Sequence, residues 1–398
     1  MDRKVMGDLR RWYDAKDEKI LFLAGAPFVG KSWLIEKLCR EQGENYIKVS
    51  AISLSKEKLS KERLEKERLL REKCNSTSII VITDVNDKKS VERAKRIILR
   101  IRSESSIGNY RIIIESRLVG NELLLSNLKS EHYVKIIKVY PLDYTEFYES
   151  VKEIGSCDKA DVLGLYMYIG GMPECVDCFI RTGSVDIVRK CQNKLLNMIY
   201  NSYDKKCQNI LKVIPQQIAK TEASFTYRSL GRSAREREYG RSIDTLKSFG
   251  LIHKISRFCD NGFRIFLYDV GLMAAALNID NSFILGENKI FKVLDGALIK
   301  GFIVEEFMAH HTSGMQMFYW NRTRAKARLP FVLKTSSDTI IIPQLCIESS
   351  YVRSVQSFCE KYNVSKIYKI YIDTKHCNKK DNGEEVIKLY DIKQIFES

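Results

Sequence analysis

The sequence predicts an α/β fold built on a doubly wound parallel sheet, and one glycine-bounded loop anchors that prediction. Apolar residues 21–24 run directly into Gly25-x-x-x-x-Gly30-Lys31-Ser32, and residues 33–38 then have helical spacing. Strand-like and helix-like segments alternate from there to residue 139, which is typical of a parallel sheet. Such sheets place their ligand site at the carboxyl ends of the strands.

A strand, a glycine-bounded loop and a helix start form a phosphate-binding arrangement, the P-loop. Backbone N–H groups of the loop and the helix N-terminus attract phosphate, Lys31 would reach the β- and γ-phosphates of ATP, and Ser32 would hold Mg²⁺. An ordinary glycine turn before a helix is the alternative. The predicted nucleotide contacts are Gly25, Ala26, Pro27, Phe28, Val29, Gly30, Lys31, Ser32 and Trp33.

Composition restricts the classes of protein to which the chain can belong. Its 398 residues suffice for two or three domains, and no apolar run reaches the roughly 18 residues of a membrane helix. We therefore expect no membrane contact. Eleven cysteines and no apolar signal segment favour free thiols in the cytoplasm. A formal net charge of +16 is compatible with an acidic partner such as nucleic acid, or with solubility alone.

Two further strand-like runs end in polar residues. Residues 78–83 lead to Asp84, the candidate that orients magnesium, although a polar residue that simply ends a strand is the alternative. Residues 110–114 lead to Glu115, Ser116 and Arg117, which would lie at the same edge of the sheet.

Two other features suggest structural roles. The block of mixed charge at residues 55–73 favours a solvated helix over a nucleic-acid contact. Cys175-x-x-Cys178 has no second cysteine pair and no nearby histidine. It therefore favours buried or half-buried thiols over a metal site.

Several motifs together resemble a family of prokaryotic AAA-type ATPases, which carry a winged helix and a C-terminal domain similar to restriction endonucleases. The resemblance extends from about residue 20 to residue 350. Besides the P-loop, it rests on 139–147 (VYPLDYTEF), 168–173 (YIGGMP), 214–215 (IP), 267–272 (LYDVGL), 301–305 (GFIVE) and 318–320 (FYW).

The resemblance implies four parts. Residues 1–150 would form a P-loop AAA-type ATPase domain and residues 151–205 a helical lid or linker. Residues 206–275 would form a winged helix, and residues 285–398 a degenerate restriction-endonuclease-like α/β domain.

Local patterns support the winged helix independently. Ile243, Leu246 and Phe249 have helical spacing, and Asp260-Asn261-Gly262 between two strand-like runs is a hairpin signal. Arginines near the predicted recognition helix are DNA candidates, with docking within the protein or a solvated surface as alternatives. They are Arg228, Arg232, Arg235, Arg237 and Arg241, of which we single out Arg232, Arg235 and Arg241.

The nuclease-like part has lost its expected chemistry. Where the family shows Glu-Val-Asp-Phe, this chain has residues 328–331 (RLPF), and where it shows Glu-x-Lys, Glu348 is followed by two serines. Glu305 and Glu348 do not make a metal site alone. His310 and His311 are expected at the surface, because adjacent helical side chains point apart.

The ATPase part also departs from the family pattern. The magnesium strand usually ends Asp-Glu, but Asp84 is followed by Val85, which cannot accept a proton. In this class of sheets the sensor strand lies between the P-loop strand and the magnesium strand. Glu115 is therefore a hypothetical replacement base, Ser116 a sensor and Arg117 a weak candidate for an arginine finger.

The prediction is thus a cytoplasmic ATP- and Mg²⁺-binding AAA-type protein, whose ATP state repositions a winged helix and an inactive nuclease-like domain. Hydrolysis would be slow or lost. DNA through the winged helix and a protein through the C-terminal domain are the predicted partners. The alternative is a DNA-binding or regulatory module that holds nucleotide without turnover; a nuclease is disfavoured by the lost residues.

Overall fold

The computed structural model describes residues 3–15, 20–51, 79–104, 110–119, 134–154, 158–220, 224–284, 289–294, 296–322, 327–346, 350–372 and 385–397. It divides into two compact units. The first contains Met1–Tyr140 and Thr245–Leu251, and the second contains Pro141–Asp244 and Ile252–Ser398. Two predicted features, the charged block at 55–73 and Glu348, lie outside the described residues.

The first unit is a parallel sheet with flanking helices. Its strands are β1 (Ile20–Gly25), β2 (Tyr46–Ser50), β3 (Ile79–Thr83), β4 (Arg111–Ser116) and β5 (Val134–Val139). Its helices are α1 (Val5–Asp14), α2 (Lys31–Glu41) and α3 (Lys88–Glu104). Every residue of β1 is buried, as a strand covered on both faces requires.

The strand order of this sheet is β2-β3-β4-β1-β5, and all four pairings are parallel. The strand that ends in Glu115 therefore lies between the P-loop strand and the strand that precedes Asp84, as predicted. A P-loop after β1 in a parallel sheet of this order is the arrangement of a P-loop ATPase fold. Phe249 packs against the apolar core of the unit.

The second unit combines many helices with a mixed sheet. Its first helices are α4 (Tyr144–Val151), α5 (Lys159–Ile169), α6 (Pro173–Thr182), α7 (Val185–Asn201), α8 (Lys205–Lys220) and α9 (Glu236–Ser248). The last turn of α9 belongs to the first unit. The later helices are α10 (Val270–Ala276), α11 (Lys289–Lys292), α12 (Ala297–His310), α13 (Ser350–Cys359) and α14 (Lys393–Glu397).

Seven strands form the sheet of this unit, in the order β12-β11-β10-β9-β8-β6-β7. They are β6 (Ile252–Arg257), β7 (Phe263–Leu267), β8 (Gln316–Asn321), β9 (Arg328–Lys334), β10 (Ile340–Leu345), β11 (Lys366–Tyr371) and β12 (Glu385–Lys388). The kinship of the C-terminal part with restriction endonucleases stays a prediction.

The predicted hairpin of β6 and β7 is present, and Gly262 N donates to Asp260 Oδ1 at 2.8 Å in its turn. Strand β6 also pairs in parallel with β8, where Ser256 lies opposite Phe318. The hairpin and the C-terminal strands thus share one sheet. The four-part division, with a winged helix at 206–275, stays a prediction.

Two of the sequence motifs meet in the second unit, and their role there is structural. The buried Asp269 caps α10 by accepting from Leu272 N at 2.7 Å, and it also accepts from Gly171 N at 2.7 Å. A Cβ at Gly170 would clash with the Asp269 carboxylate, and one at Gly271 would clash with Ile169 O. Close backbone approach therefore requires glycine at both positions.

In the part of the chain that the structure describes, no helix has the length and apolar character of a membrane span.

Candidate nucleotide site

The loop between β1 and α2 has the backbone shape of a phosphate cradle. A Cβ at Gly25 would lie 2.6 Å from Val139 O, so the neighbouring strand β5 requires glycine here. Phe28 and Gly30 both have left-handed backbones, with φ of 66° and 90°. Gly30 is the N-cap of α2 and provides no side-chain cap, so the first N–H groups of the helix remain available to an anion.

Lys31 lies inside this loop. Its side chain is buried, and Nζ donates to the carbonyl oxygens of Gly25 and Ala26 at 2.9 Å each. Burial lowers the pKa of Lys31 to about 8, while the Glu115 carboxylate opposes that change and Arg117 adds to it. The ammonium group is thus held among the loop residues that are predicted to contact phosphate.

Ser32 and Glu115 are brought together by the sheet register. Leu23 of β1 lies opposite Glu115 of β4, so the carboxyl ends of the two strands are adjacent. Ser32 Oγ donates to Glu115 Oε1 at 2.9 Å. A hydroxyl and a carboxylate at this place are hard oxygen donors, which fit the magnesium ion that accompanies ATP in such loops.

Asp84 makes its contacts on the side of β3 that faces β2. It has a left-handed backbone with φ of 61°, and its Oδ2 accepts from Ser50 Oγ at 2.6 Å and from Thr83 Oγ1 at 3.2 Å. Ser50 ends β2, which is farther from the P-loop strand than β3 is. This geometry does not favour the magnesium role of Asp84, which stays a prediction.

The residues after Asp84 have structural contacts. Val85 is fully buried in the apolar core of the first unit, so its position offers no proton acceptor. Asp87 Oδ1 accepts from Ser90 N at 2.7 Å at the start of α3, and this hydrogen bond is the main cause of a lowered pKa at Asp87. Asp87 is thus occupied with capping a helix.

The three candidates on β4 and after it differ in their surroundings. Glu115 is half-buried and contacts Ser32. Ser116 is buried, its hydroxyl donates to Val85 O and it accepts from Leu118 N at 3.0 Å. These bonds do not favour a sensor role for Ser116, which stays a prediction. Arg117 is exposed, and its role as an arginine finger stays a prediction. Trp33, a predicted nucleotide contact, is exposed beside Lys37.

Arg3 is a P-loop contact that our sequence reasoning missed. It is buried, Nη1 donates to Val29 O at 3.3 Å, and Nη2 donates to Tyr140 O at 2.8 Å. The guanidinium group therefore joins the loop to the end of β5. A single arginine ahead of an amphipathic helix has no distinguishing pattern, so the sequence carried no signal for this contact.

The predicted DNA-contact arginines are all exposed. Arg232 and Arg235 precede α9, and Arg241 lies on it. Glu236 and Glu238 in the first turn of the same helix are exposed as well. The surface therefore carries both signs of charge.

Glu305, in the second unit, is a buried carboxylate with structural contacts. Glu305 of α12 is buried, where Oε2 accepts from Val270 N and Oε1 accepts from the Tyr166 hydroxyl, at 3.0 Å each. At the positions where the resemblance would call for the acidic residues of a nuclease, β9 has the half-buried Arg328 and the buried Pro330. The described residues contain no group of three or more His, Cys, Asp or Glu side chains that could hold a metal.

The expectation that His310 is a surface residue was wrong. Its side chain is 10% exposed, Nε2 lies 3.1 Å from Asp143 Oδ2, and Nδ1 lies 3.1 Å from Glu397 Oε1. The helix α12 is buried along nearly its whole length, so its periodicity did not indicate an exposed face. His311 stacks on Phe307.

The cysteine pair consists of buried thiols, as predicted. Cys175 and Cys178 both lie on α6 and are buried. Cys175 Sγ lies 3.8 Å from Cys191 Sγ of α7.

Comparison with known proteins identifies relatives of part of the chain. Residues 161–282 match a family described as a domain of unknown function, DUF8612. No curated protein matches.

Two solved structures are similar to this chain. The Walker-type ATPase PABY2304 of Pyrococcus abyssi is 14% identical, and the match covers 69% of this chain and 95% of that one with a TM-score of 0.46. The RuvB Holliday junction branch migration motor of Thermotoga maritima is 17% identical, with 66% and 88% covered and a TM-score of 0.35. The fold assignment therefore rests on the strand order and loop of this chain.

Proposed function

We propose that this chain is an AAA-type P-loop protein that binds ATP with Mg²⁺ and hydrolyses it slowly or not at all. The observation that carries the proposal is the placement of Lys31 inside a glycine-bounded loop, with Ser32 directly beside a carboxylate. Gly25, Gly30, Lys31 and Ser32 would hold the nucleotide, and the neighbouring loop residues would line it. Any reaction would be phosphoryl transfer to water.

Slow turnover is supported by the residue that follows Asp84. A catalytic base must reach the attacking water, and the buried Val85 has no group that accepts a proton. We propose that ATP acts as a switch in the cytoplasm, changing the position of a winged helix and an inactive nuclease-like domain.

The test is to measure ATP binding and phosphate release on wild type and Lys31→Ala in parallel, each with and without DNA. We expect the wild type to bind ATP and the variant to lose binding, because the variant lacks the ammonium group that reaches the phosphates. Equal binding by both proteins would contradict the proposal. Rapid turnover by the wild type would contradict the switch while leaving the ATP site intact.

A second candidate is a DNA-binding or regulatory module that holds nucleotide as a structural ligand. The exposed arginines before and on α9, together with the charge of +16, favour this candidate. Arg232→Ala and Arg235→Ala together should weaken DNA binding and reduce its salt dependence, by about one counterion per lost phosphate contact. Arg181→Ala is the matched control, since Arg181 is exposed but paired with Asp177 at 2.8 Å.

Nuclease activity is not part of the proposal. Plasmid incubated with the protein and Mg²⁺ or Mn²⁺ should stay intact, because Arg328 and Pro330 occupy the β9 positions where carboxylate ligands would be needed. Cleavage that is lost in Glu348→Ala would contradict this.

A further inference from the structure

We propose that Glu115, at the end of β4, is the carboxylate that orients the magnesium ion of bound ATP, in place of Asp84. This inference rests on the proposed function and assigns one residue of that site a different role. It replaces the hypothesis that Glu115 acts as the base toward water.

Glu115 is in direct contact with Ser32. Ser32 is the P-loop residue whose hydroxyl is suited to the metal, and its Oγ lies 2.9 Å from Glu115 Oε1. A carboxylate in hydrogen-bond contact with a metal-binding hydroxyl can hold the same ion directly or through a bound water. Glu115 is half-buried, so its carboxylate remains accessible to the loop.

The sheet register places Glu115 next to the P-loop strand. Strand β4 is the direct neighbour of β1, and the pairing of Leu23 with Glu115 places the residue at the carboxyl end of the P-loop strand. Strand β3 is one position farther, and neighbouring strands are about 4.8 Å apart. Glu115 is therefore one strand nearer to the P-loop strand than Asp84 is, although the magnesium strand of this class of sheet has the same position as β3.

Asp84 makes its side-chain contacts toward β2. Both hydrogen bonds to its Oδ2 come from hydroxyl groups on β2 and β3, at Ser50 and Thr83. Its left-handed backbone departs from that of an ordinary strand end. Asp84 thus ties β3 to β2, on the side away from Ser32.

These contacts also account for the weak hydrolysis that we propose. A carboxylate that holds the metal beside Ser32 is not placed to take a proton from water at the γ-phosphate. With Val85 buried and Asp87 capping α3, the described residues after β3 do not replace it. The site then favours holding nucleotide over cleaving it.

The experiment measures Mn²⁺ affinity by electron paramagnetic resonance, on the full chain saturated with a non-hydrolysable ATP analogue. We expect Glu115→Gln to weaken Mn²⁺ binding by about 10-fold to 100-fold, the usual effect of losing a supporting carboxylate. Asp84→Asn should weaken it less. Glu36→Gln should leave it unchanged, because Glu36 is an exposed carboxylate on the same helix as Ser32, 3.5 Å from Lys48.

A double-mutant cycle with Ser32→Ala tests the pair itself. The combined loss of Mn²⁺ affinity in Glu115→Gln plus Ser32→Ala should be smaller than the product of the single losses, because both groups hold one ion. Circular dichroism and thermal unfolding confirm that each variant is folded; glutamine keeps the acceptor for the Ser32 hydroxyl. Independent, multiplicative losses would argue against a shared ion.

A larger loss in Asp84→Asn than in Glu115→Gln would overturn the inference. A parallel titration with a fluorescent ATP analogue in EDTA separates this outcome from failure of the proposed function. If the wild type binds no nucleotide with or without metal, both proposals fall. If it binds nucleotide and Glu115→Gln retains full Mn²⁺ affinity, only the inference falls.

Discussion

Glu115 at the end of β4 and Glu305 on α12 show two ways in which this chain uses a carboxylate. Glu115 is half-buried beside a serine of the P-loop, and the contact is to a side chain that can also bind a ligand. Glu305 is buried and accepts from a backbone N–H and a tyrosine hydroxyl within the second unit. The first carboxylate lies where we propose a bound ion, whereas the second accepts hydrogen bonds inside the protein.

This difference shows why the presence of an acidic residue is a weak guide to chemistry. Both glutamates lie within motifs that the sequence singles out, and both would be candidates on residue type alone. Burial and the identity of the hydrogen-bond donors separate them. Buried polar groups are usually hydrogen-bonded to backbone, and such bonds use the lone pairs that a metal would need.

The largest effect is expected at the P-loop, in Gly25→Ala. The added Cβ would lie 2.6 Å from Val139 O and 2.9 Å from Val29 Cγ2, so the loop must move and the phosphate cradle is lost. We expect ATP binding to fall below detection in a fluorescence titration. Gly7→Ala on α1 is the control, because a Cβ there meets nothing within 4 Å. ATP binding by Gly25→Ala at wild-type strength would remove the steric basis of the site.

The next effect is on stability, at Glu305. Glu305→Ala leaves the buried Val270 N–H without its acceptor, whereas the Tyr166 hydroxyl keeps Leu142 O at 2.7 Å. The free energy of unfolding, measured by urea titration, should fall by about 2 kcal/mol. Burial raises the pKa of Glu305 well above its ordinary value of 4.5, so Glu305→Gln resembles the neutral form and should cost far less. Equal losses in the two variants would show that the carboxyl group acts as a charge.

Glu305 also makes the free energy of unfolding depend on pH, and Glu305→Gln tests this. Because its pKa is raised, Glu305 keeps its proton in the folded state at pH values where the unfolded chain releases it. Its contribution to stability is therefore present below about 4.5 and is lost as pH rises. Glu305→Gln should flatten this decline only in part, since burial also raises the pKa of Asp269 to about 6.

The smallest expected effect is the uptake of a fraction of a proton at Lys31 when ATP binds. Burial lowers the pKa of Lys31 to about 8. Between about pH 8 and the ordinary pKa of 10.5, the folded protein holds fewer protons at Lys31 than the unfolded chain does. The contribution of Lys31 to stability is therefore present at high pH and is lost as the pH falls toward 8. Phosphate favours the charged amine, so ATP binding near pH 8 should take up protons. Calorimetry in buffers of different ionisation enthalpy measures this uptake, and identical heats would exclude it.

Local patterns predicted much of the fold. The glycine spacing around β1 and α2 gives the loop, and the turn at Asp260 gives the hairpin of β6 and β7, because these features depend on residues close in sequence. The position of β4 between β1 and β3 followed from the class of sheet.

For the candidate site, the sequence predicted which residues take part but not the contacts that they make. Glu115 was selected for its place at a strand end, but its contact with Ser32 depends on register and rotamer. The direction of Asp84 is set by one unusual φ angle and by a serine on another strand. Arg3 and His310 act through distant partners, which no short window of sequence contains.

The parallel pairing of β6 with β8 limits how this chain can be divided. Phe258 N donates to Tyr319 O at 2.9 Å and Arg257 Nη2 donates to Asn321 O at 2.7 Å, so the C-terminal strands cover one edge of the hairpin. A fragment cut after residue 284 would expose that edge, and open strand edges recruit other chains into aggregates. We therefore expect the hairpin region to aggregate less when the strands that follow it are expressed with it.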